Sequence, residues 1–439
     1  MGQLKNRIIA NAGWIVACKV AQAIASVVVS VLTARYLGPS NFGIINYAAS
    51  LVSFCTPIMQ LGLTNVIVQE LTDNPKQEGK IVGTATLLNV ISSIFCIGGI
   101  TVFSLFANAN SPITILVCSL YSLMLLFQAF ELIQYWFQAK LLSKYSSIAS
   151  LIAYLIMTIY KVMLLLLGKD VVWFSISYSI DYLIISIILF VIYKKKGGGR
   201  LGLSKELAFK MLNKGKYYIV AGLMVDIFAQ SDRFMIKHML GDDYTGYYSA
   251  ASTLATMSSF VFAAIIDTMR PVIFEAKKQQ PQSYRLNIKR LYSVVIYLSL
   301  LQSLIMTVFS DYIVKLMYGP DYAPSSYTLK IIVWFTTFSY LGAVRNIWML
   351  SERKQRYLLI INTSGAVANV GLNFLFIPIM GINGAALASL ITQFFTNVVM
   401  GWIIPPIWEN NILMVKSLNP IYIWNIFKIV FRKSKEEKR

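Results

Sequence analysis

Acidic residues and histidine are scarce in this sequence. Its 439 residues include 19 Asp and Glu against 39 Lys and Arg, with one histidine, His238. One histidine cannot build a His cluster, and there is no HExxH pair, Walker A loop or nucleophile elbow. The four cysteines, Cys18, Cys55, Cys96 and Cys118, lack metal-ligand spacing and sit in apolar stretches, where they read as small buried side chains. Long polar segments are missing as well. The chain therefore reads as no enzyme and as carrying no cofactor.

Apolar sequence takes up the rest. With 57% apolar residues, 13% charged residues and a mean hydropathy of +0.63, the composition is that of a membrane protein. Windows of about 20 mainly apolar residues recur along the chain. They predict about twelve spans, near 12–33, 43–66, 81–106, 113–137, 147–167, 173–193, 217–239, 246–269, 291–311, 327–350, 357–377 and 385–408. Lys5 and Arg7 before the first run mimic a signal peptide, but no small-residue cleavage site follows, so a retained helix is expected. About 30 of the 39 basic residues fall in alternate segments, including "KKKGGGR" and "RKSKEEKR", while the other segments hold about three: Arg35, Lys169 and Lys315. By the positive-inside rule both ends are expected in the cytoplasm. The net charge of +20 then reflects topology and attraction to anionic lipid, and no nucleic-acid partner is expected.

A partial repeat organises the spans. Leu37, Gly38, Gly43 and Ala48 of "YLGPSNFGIINYA" recur 203 positions later as Leu240, Gly241, Gly246 and Ala251 of "MLGDDYTGYYSAA". Shifting the first two spans by that offset nearly reproduces the seventh and eighth. The reading is an all-α polytopic protein of two pseudo-symmetric six-helix lobes around a central cavity, with alternating access. The expected divisions are a lobe at 1–193, a cytoplasmic linker at 194–216, a lobe at 217–409 and a basic amphipathic tail at 410–439 lying on the inner leaflet. Each glycine pair also has a local use, ending one helix so that the next begins closely packed.

A charge at mid-bilayer costs about 2.5 to 3.5 kcal/mol, so polar residues within spans should face the cavity or one another. The first span carries Asn11, Lys19, Gln22, Ser26 and Ser30 on one stripe, and the fifth carries Ser150, Tyr154, Thr158 and Lys161. The fourth holds Gln128, Glu131, Gln134 and Gln138, and the eleventh Asn362, Asn369 and Asn373. Asp226 and Arg233 share a face of the seventh, with Asp232 alongside. For the neutral positions, interhelical hydrogen bonding is the expected explanation ahead of a cavity role. Lys19 and Lys161 have no acid three or four residues away, which favours a place in the cavity. Arg233 either lines it or pairs with Asp226 or Asp232, while Arg345 and Asp267 lie near span ends and can snorkel. Lys19, Lys161, Arg233 and Arg345 are the expected cationic lining for an anionic cargo. Glu131, Asp226, Asp232 and Asp267 could exchange H⁺ or Na⁺, or balance the bases.

"IANAGWIVACKVAQAIASVVVSVLTARYLGPSNFGIINYA", "QSDRFMIKHMLGDDYTGYYSAA" and "IPIMGINGAALASLIT" together resemble the Wzx-type polysaccharide-unit flippases of bacteria, within the multidrug/oligosaccharidyl-lipid/polysaccharide exporter superfamily. The resemblance runs from about Leu4 to about Trp408. It implies twelve helices in two lobes, in the bacterial cytoplasmic (inner) membrane. The implied cargo is an undecaprenyl-diphosphate-linked oligosaccharide for O-antigen or other surface polysaccharide, with membrane lipids and polysaccharide polymerase machinery as further partners. The family has no strict catalytic motif, and what carries over is the Asp232–Arg233 pair and a cationic cavity. A multidrug or cation exporter of the same superfamily is the alternative. Such exporters commonly place a proton-handling acid in the first helix, where this chain has Lys19 and no acid.

Overall fold

The computed structural model describes the backbone of residues 2–424 and the side chains from Gln22 to Trp424 except Asn65 and Gln279. The side chain of Lys19 and the tail beyond Trp424 lie outside the described residues. Among those described, every regular element is helical. In chain order they are α1 (Gly2–Met59), α2 (Leu63–Asp73), α3 (Glu78–Ala107), α4 (Pro112–Ser122), α5 (Met124–Glu131), α6 (Ile133–Ala139), α7 (Ser143–Leu166), α8 (Val171–Lys195) and α9 (Lys205–Leu240). There follow α10 (Asp242–Thr256), α11 (Ser259–Gln279), α12 (Pro281–Val308), α13 (Ser310–Tyr318), α14 (Ser325–Ser351), α15 (Arg356–Met380), α16 (Ile382–Phe394), α17 (Met400–Ile403) and α18 (Trp408–Lys416).

Ten helical stretches among the described residues are long and apolar enough to cross a membrane. The first, Gln22–Met59, is 38 residues long, about twice what one crossing requires. It breaks at Gly38, whose φ of 72° and ψ of 172° leave the helical region, and Pro39 restarts the helix where no amide hydrogen is needed. Lys205–Leu240, at 36 residues, is long enough but too polar to be among the ten. Separating the two arms of α1 and adding α9 brings the ten to twelve, the number of spans read from hydropathy.

Several spans differ in extent from the sequence reading. The second ends at Met59 rather than near 66, because Leu61 and Gly62 take positive φ and α2 starts afresh at Leu63. The fourth is three short helices, α4 to α6. Leu123 and Leu132 keep right-handed dihedrals at the joints, so Pro112–Ala139 runs on as one bent crossing. The seventh begins at Lys205, a dozen residues early, with Ser204 accepting from the Leu207 amide. The twelfth ends at Ile403 after a π-helical turn at Phe395–Val399.

The chain divides into two compact units, one up to Ser249 and one from Ala250. Two apolar cores are seen among the described residues of the first. Ile44, Tyr47, Leu51, Val117, Leu125 and Phe174 centre one, and Ile67, Ile81, Trp136, Phe137, Leu189 and Met211 the other. In the second unit Phe262, Ile288, Tyr292, Val344, Trp348 and Leu413 belong to one core.

Two backbone contacts within the first unit depend on glycine. A Cβ on Gly43 would collide with the Asp242 carbonyl, and one on Gly246 with the Pro39 carbonyl. The repeat offset of 203 carries Pro39 to 242 and Gly43 to 246, so the two repeated segments grip each other reciprocally. The basic glycine-rich stretch after α8 is likewise held. Gly202 N donates to Gly79 O at 3.1 Å, Gly199 N to Glu78 Oε1 at 3.2 Å and Ser204 N to Thr84 Oγ1 at 3.0 Å. Residues 196–204 thus form a strap across the start of α3, and Lys205–Lys216 belongs to α9.

Candidate functional site

Within the first unit, α4, α5, α7, α8, α9 and α10 bring charged and aromatic groups together. On α7, Ser150, Tyr154, Thr158 and Lys161 recur at helical spacing and share a face. Lys161 ends that stripe, its Nζ 4.0 Å from the centroid of the Tyr178 ring. Tyr178 packs in turn against Tyr121, the rings tilted by 34° at a centroid separation of 4.5 Å. A cation over an aromatic face gains attraction that grows as water is excluded, so this lysine is held by a ring without being neutralised. Tyr121 also bears on the charge of Arg233, as do Tyr248 and Asp232.

Arg233 is half-buried, and its Nη1 donates to Gln230 Oε1 at 2.7 Å. Asp232, 6% exposed, accepts from the Tyr248 hydroxyl. Asp226 accepts from Ser53 at 3.3 Å, and Asp232, one of the two acids considered as partners for Arg233, acts on its charge. At the end of α9, Lys237 forms an ion pair with Asp242 across the Gly241 break, and His238 Nε2 lies 3.0 Å from the Tyr47 hydroxyl.

Two carboxylates complete the constellation. Asp181 on α8 bears electrostatically on Glu131 on α5, and Lys161 bears on Asp181. Asp181 Oδ1 and Gln128 Oε1 are buried without hydrogen-bond partners. No acid lies three or four residues from Lys161 on its own helix, and Asp181 is supplied instead by α8 from a neighbouring position. The signal was present in "SISYSIDYL", where Tyr178, Asp181 and Tyr182 share one helical face within an apolar span. The patch is therefore mixed in charge, Lys161 and Arg233 standing among Glu131, Asp181 and Asp232.

The remaining expected residues lie elsewhere. Asp267 pairs with Arg270 at 2.8 Å, both about half exposed. Arg345 lies in the interior of the second unit, 4% exposed, and donates to the Thr396 carbonyl at 2.6 Å. It does not snorkel, because the π-helical turn beside it offers that carbonyl as a local acceptor. Asn369 and Asn373 are fully buried in a ladder with Ser389, which is the interhelical bonding considered for neutral positions. A separate groove of about 510 Å³ opens between α2 and α6, lined chiefly by Gln69, Thr72, Asp73, Tyr135 and Gln138. No cluster of three or more His, Cys, Asp or Glu suited to a metal occurs among the described residues.

Some known proteins resemble this chain in sequence, and others share its arrangement of helices. The protein named "Putative O-antigen transporter" in Shigella flexneri is 21% identical over 393 residues, 84% of this chain and 91% of that protein. An uncharacterised membrane protein of Methanocaldococcus jannaschii is 24% identical over 268 residues, covering 57% of this chain and only 52% of its own length. Among solved structures, the lipid II flippase MurJ in an inward closed conformation superposes with a TM-score of 0.70 at 13% identity, covering 94% of this chain and 92% of that one. An inward-facing multidrug resistance MATE family transporter of the MOP superfamily gives 0.67 at 12% identity, covering 90% and 95%. The sequence profile described as polysaccharide biosynthesis protein matches residues 8–277, more than half the chain. On that match the chain belongs to the polysaccharide biosynthesis protein family, and its helices follow the fold that MurJ shares with the MATE transporters.

Proposed function

We propose that this protein is a flippase that moves a polyprenyl-diphosphate-linked oligosaccharide, with undecaprenyl as the lipid, from the inner to the outer leaflet of the bacterial cytoplasmic membrane. Membership of the polysaccharide family supports the class of cargo. The observation that carries the mechanism is the half-buried pair of bases, Lys161 on its tyrosine ring and Arg233 on its glutamine, set among hydroxyls and amides in an apolar helix bundle. A diphosphate needs cations and a glycan needs neutral hydrogen-bonding groups with aromatic faces, while the polyprenyl tail can remain in lipid. Lys19 would extend the cationic set, and Arg345, bonded within the second unit, would not. Glu131 and Asp181 would balance Lys161 when the cargo is absent and offer a place for H⁺ or Na⁺ when it is present. The glycan would pass to polysaccharide polymerase machinery, and no bond would be made or broken in the flip.

Deletion of the gene tests this reading. Lipid-linked glycan should accumulate on the inner leaflet and surface polysaccharide should fall. Drug hypersensitivity with normal surface glycan would overturn the flippase and favour a multidrug exporter. For the site, Lys161→Gln and Arg233→Gln should each lower transport roughly tenfold or more at matched membrane abundance, the loss expected for one charge-assisted hydrogen bond. Arg233→Lys separates point charge from planar fork: full activity would mean that charge alone is needed. Wild-type surface glycan in all three variants would rule out the cationic mechanism while leaving the flippase reading standing.

A further inference from the structure

The second unit contains a buried cation that the proposed transport path does not use. Arg345 spends one Nη1 hydrogen on the Thr396 carbonyl, and its Nε has no partner. None of the ion pairs among the described residues includes it. The titratable group acting on its charge is Tyr292, a neutral hydroxyl that already donates to Asn410 Oδ1 at 2.9 Å. That bond leaves Asn410 Nδ2 unpartnered, and Trp348 Nε1 is unpartnered as well. Asn410 and Trp348 are both 0% exposed. Trp348 follows Arg345 by one helical turn on the same face of α14, and it shares a core with Tyr292.

Two buried N–H donors, Trp348 Nε1 on α14 and Asn410 Nδ2 on α18, thus accompany the unpartnered Nε of a full positive charge that no ion pair among the described residues meets. The unpartnered acceptor nearby, Asn411 Oδ1, is packed against Gly401, and its amide nitrogen donates to Val398 O. A guanidinium this deep is strongly unfavourable unless an opposite charge accompanies it. Water would satisfy the orphaned donors but leave the charge in place, whereas a small anion answers both. We infer that Arg345, Asn410 and Trp348 hold a small inorganic anion, chloride being the simplest, inside the C-terminal unit. The anion would tie α14 to α18 and to the π-helical turn. This site is independent of the cargo reading.

Thermal unfolding of the purified full-length protein tests it, with chloride titrated into sodium gluconate at constant ionic strength. The midpoint should rise and saturate with chloride, and bromide should substitute. Arg345→Gln should abolish the dependence. Trp348→Phe, which keeps a ring and removes only the N–H, should raise the half-saturating chloride concentration roughly tenfold, the loss of one hydrogen bond to a charge. An unfolding midpoint that is the same in chloride and gluconate would overturn the inference. So would a shift that never saturates, or one that survives unchanged in Trp348→Phe. These last readings stand even if Arg345→Gln fails to fold.

Discussion

Glu70 shows how a single residue in this chain is held by partners far away in sequence. It is 0% exposed at the end of α2, and Lys210 Nζ and Lys214 Nζ each donate to it at 2.7 Å. Burial alone would raise its carboxyl pKa, but the two ammonium groups outweigh burial and hold it below the ordinary value. A lowered folded pKa stabilises the protein above the unfolded value of about 4.3 and is lost as pH falls through the folded value. Glu70→Gln should therefore destabilise by about 1 to 3 kcal/mol near neutral pH, toward the lower end because both lysines are partly exposed. The same variant should flatten the acid limb of the stability curve, read as unfolding midpoints from about pH 3 to pH 7. An unchanged acid limb would mean the pair contributes nothing to stability. None of this was legible in the sequence, because nothing at Glu70 points to lysines 140 and 144 residues on. Lys161 teaches a similar lesson. The sequence singled it out as a base within an apolar span, yet its ring and its acid come from α8, and helix-to-helix adjacency is not written in local spacing.

At the scale of elements the glycines decide. Repetition of "LG" and a later Gly marked two related helix junctions, and the structure places a helix break with positive φ at Gly38 and at Gly241. The sequence could not reveal that the segments following those breaks pack on each other through Gly43 and Gly246, because reciprocity is a fact of three dimensions. Alanine at either position puts a methyl into a carbonyl of the other segment. Gly43→Ala or Gly246→Ala should cost about 1 to 3 kcal/mol, the range for overpacking a rigid contact. The double variant should cost less than the sum, since one displacement relieves both clashes. Unfolding of single and double variants measures this, and full additivity would show that the contacts are separate. The strap at 196–204 follows the same logic. A sequence of Gly, Lys and Arg reads as a flexible linker, but Gly79 and Gly83 on α3 open a track that the Arg200 and Gly202 carbonyls occupy. Gly83→Leu should lift the strap and expose the chain at Arg200 to trypsin. Cleavage there no faster than in the wild-type protein would mean the strap is held without that track.

For the whole molecule, hydropathy read the number of crossings well and their ends poorly. Crossing a bilayer demands length and apolarity, which any window can count, whereas ends are set by single residues such as Leu61, Gly62 and Ser204. Orientation rests on a different quantity, the partition of Lys and Arg between alternate loops, which the fold itself does not reveal. It matters for function, because a flippase of lipid-linked glycan must receive its diphosphate from the cytoplasmic leaflet. Lys169 follows α7 and Lys278 sits near the end of α11, and the charge partition places them on opposite sides. Single cysteines at 169 and 278 should separate the two sides in a background lacking Cys18, Cys55, Cys96 and Cys118. A membrane-impermeant thiol reagent applied to intact cells should label 169 and spare 278, and permeabilised cells should label both. Labelling at 278 alone would reverse every loop, placing the basic face outside. Such a molecule would keep its family and its fold, but it would present its charged strap to the leaflet from which the proposed cargo does not come.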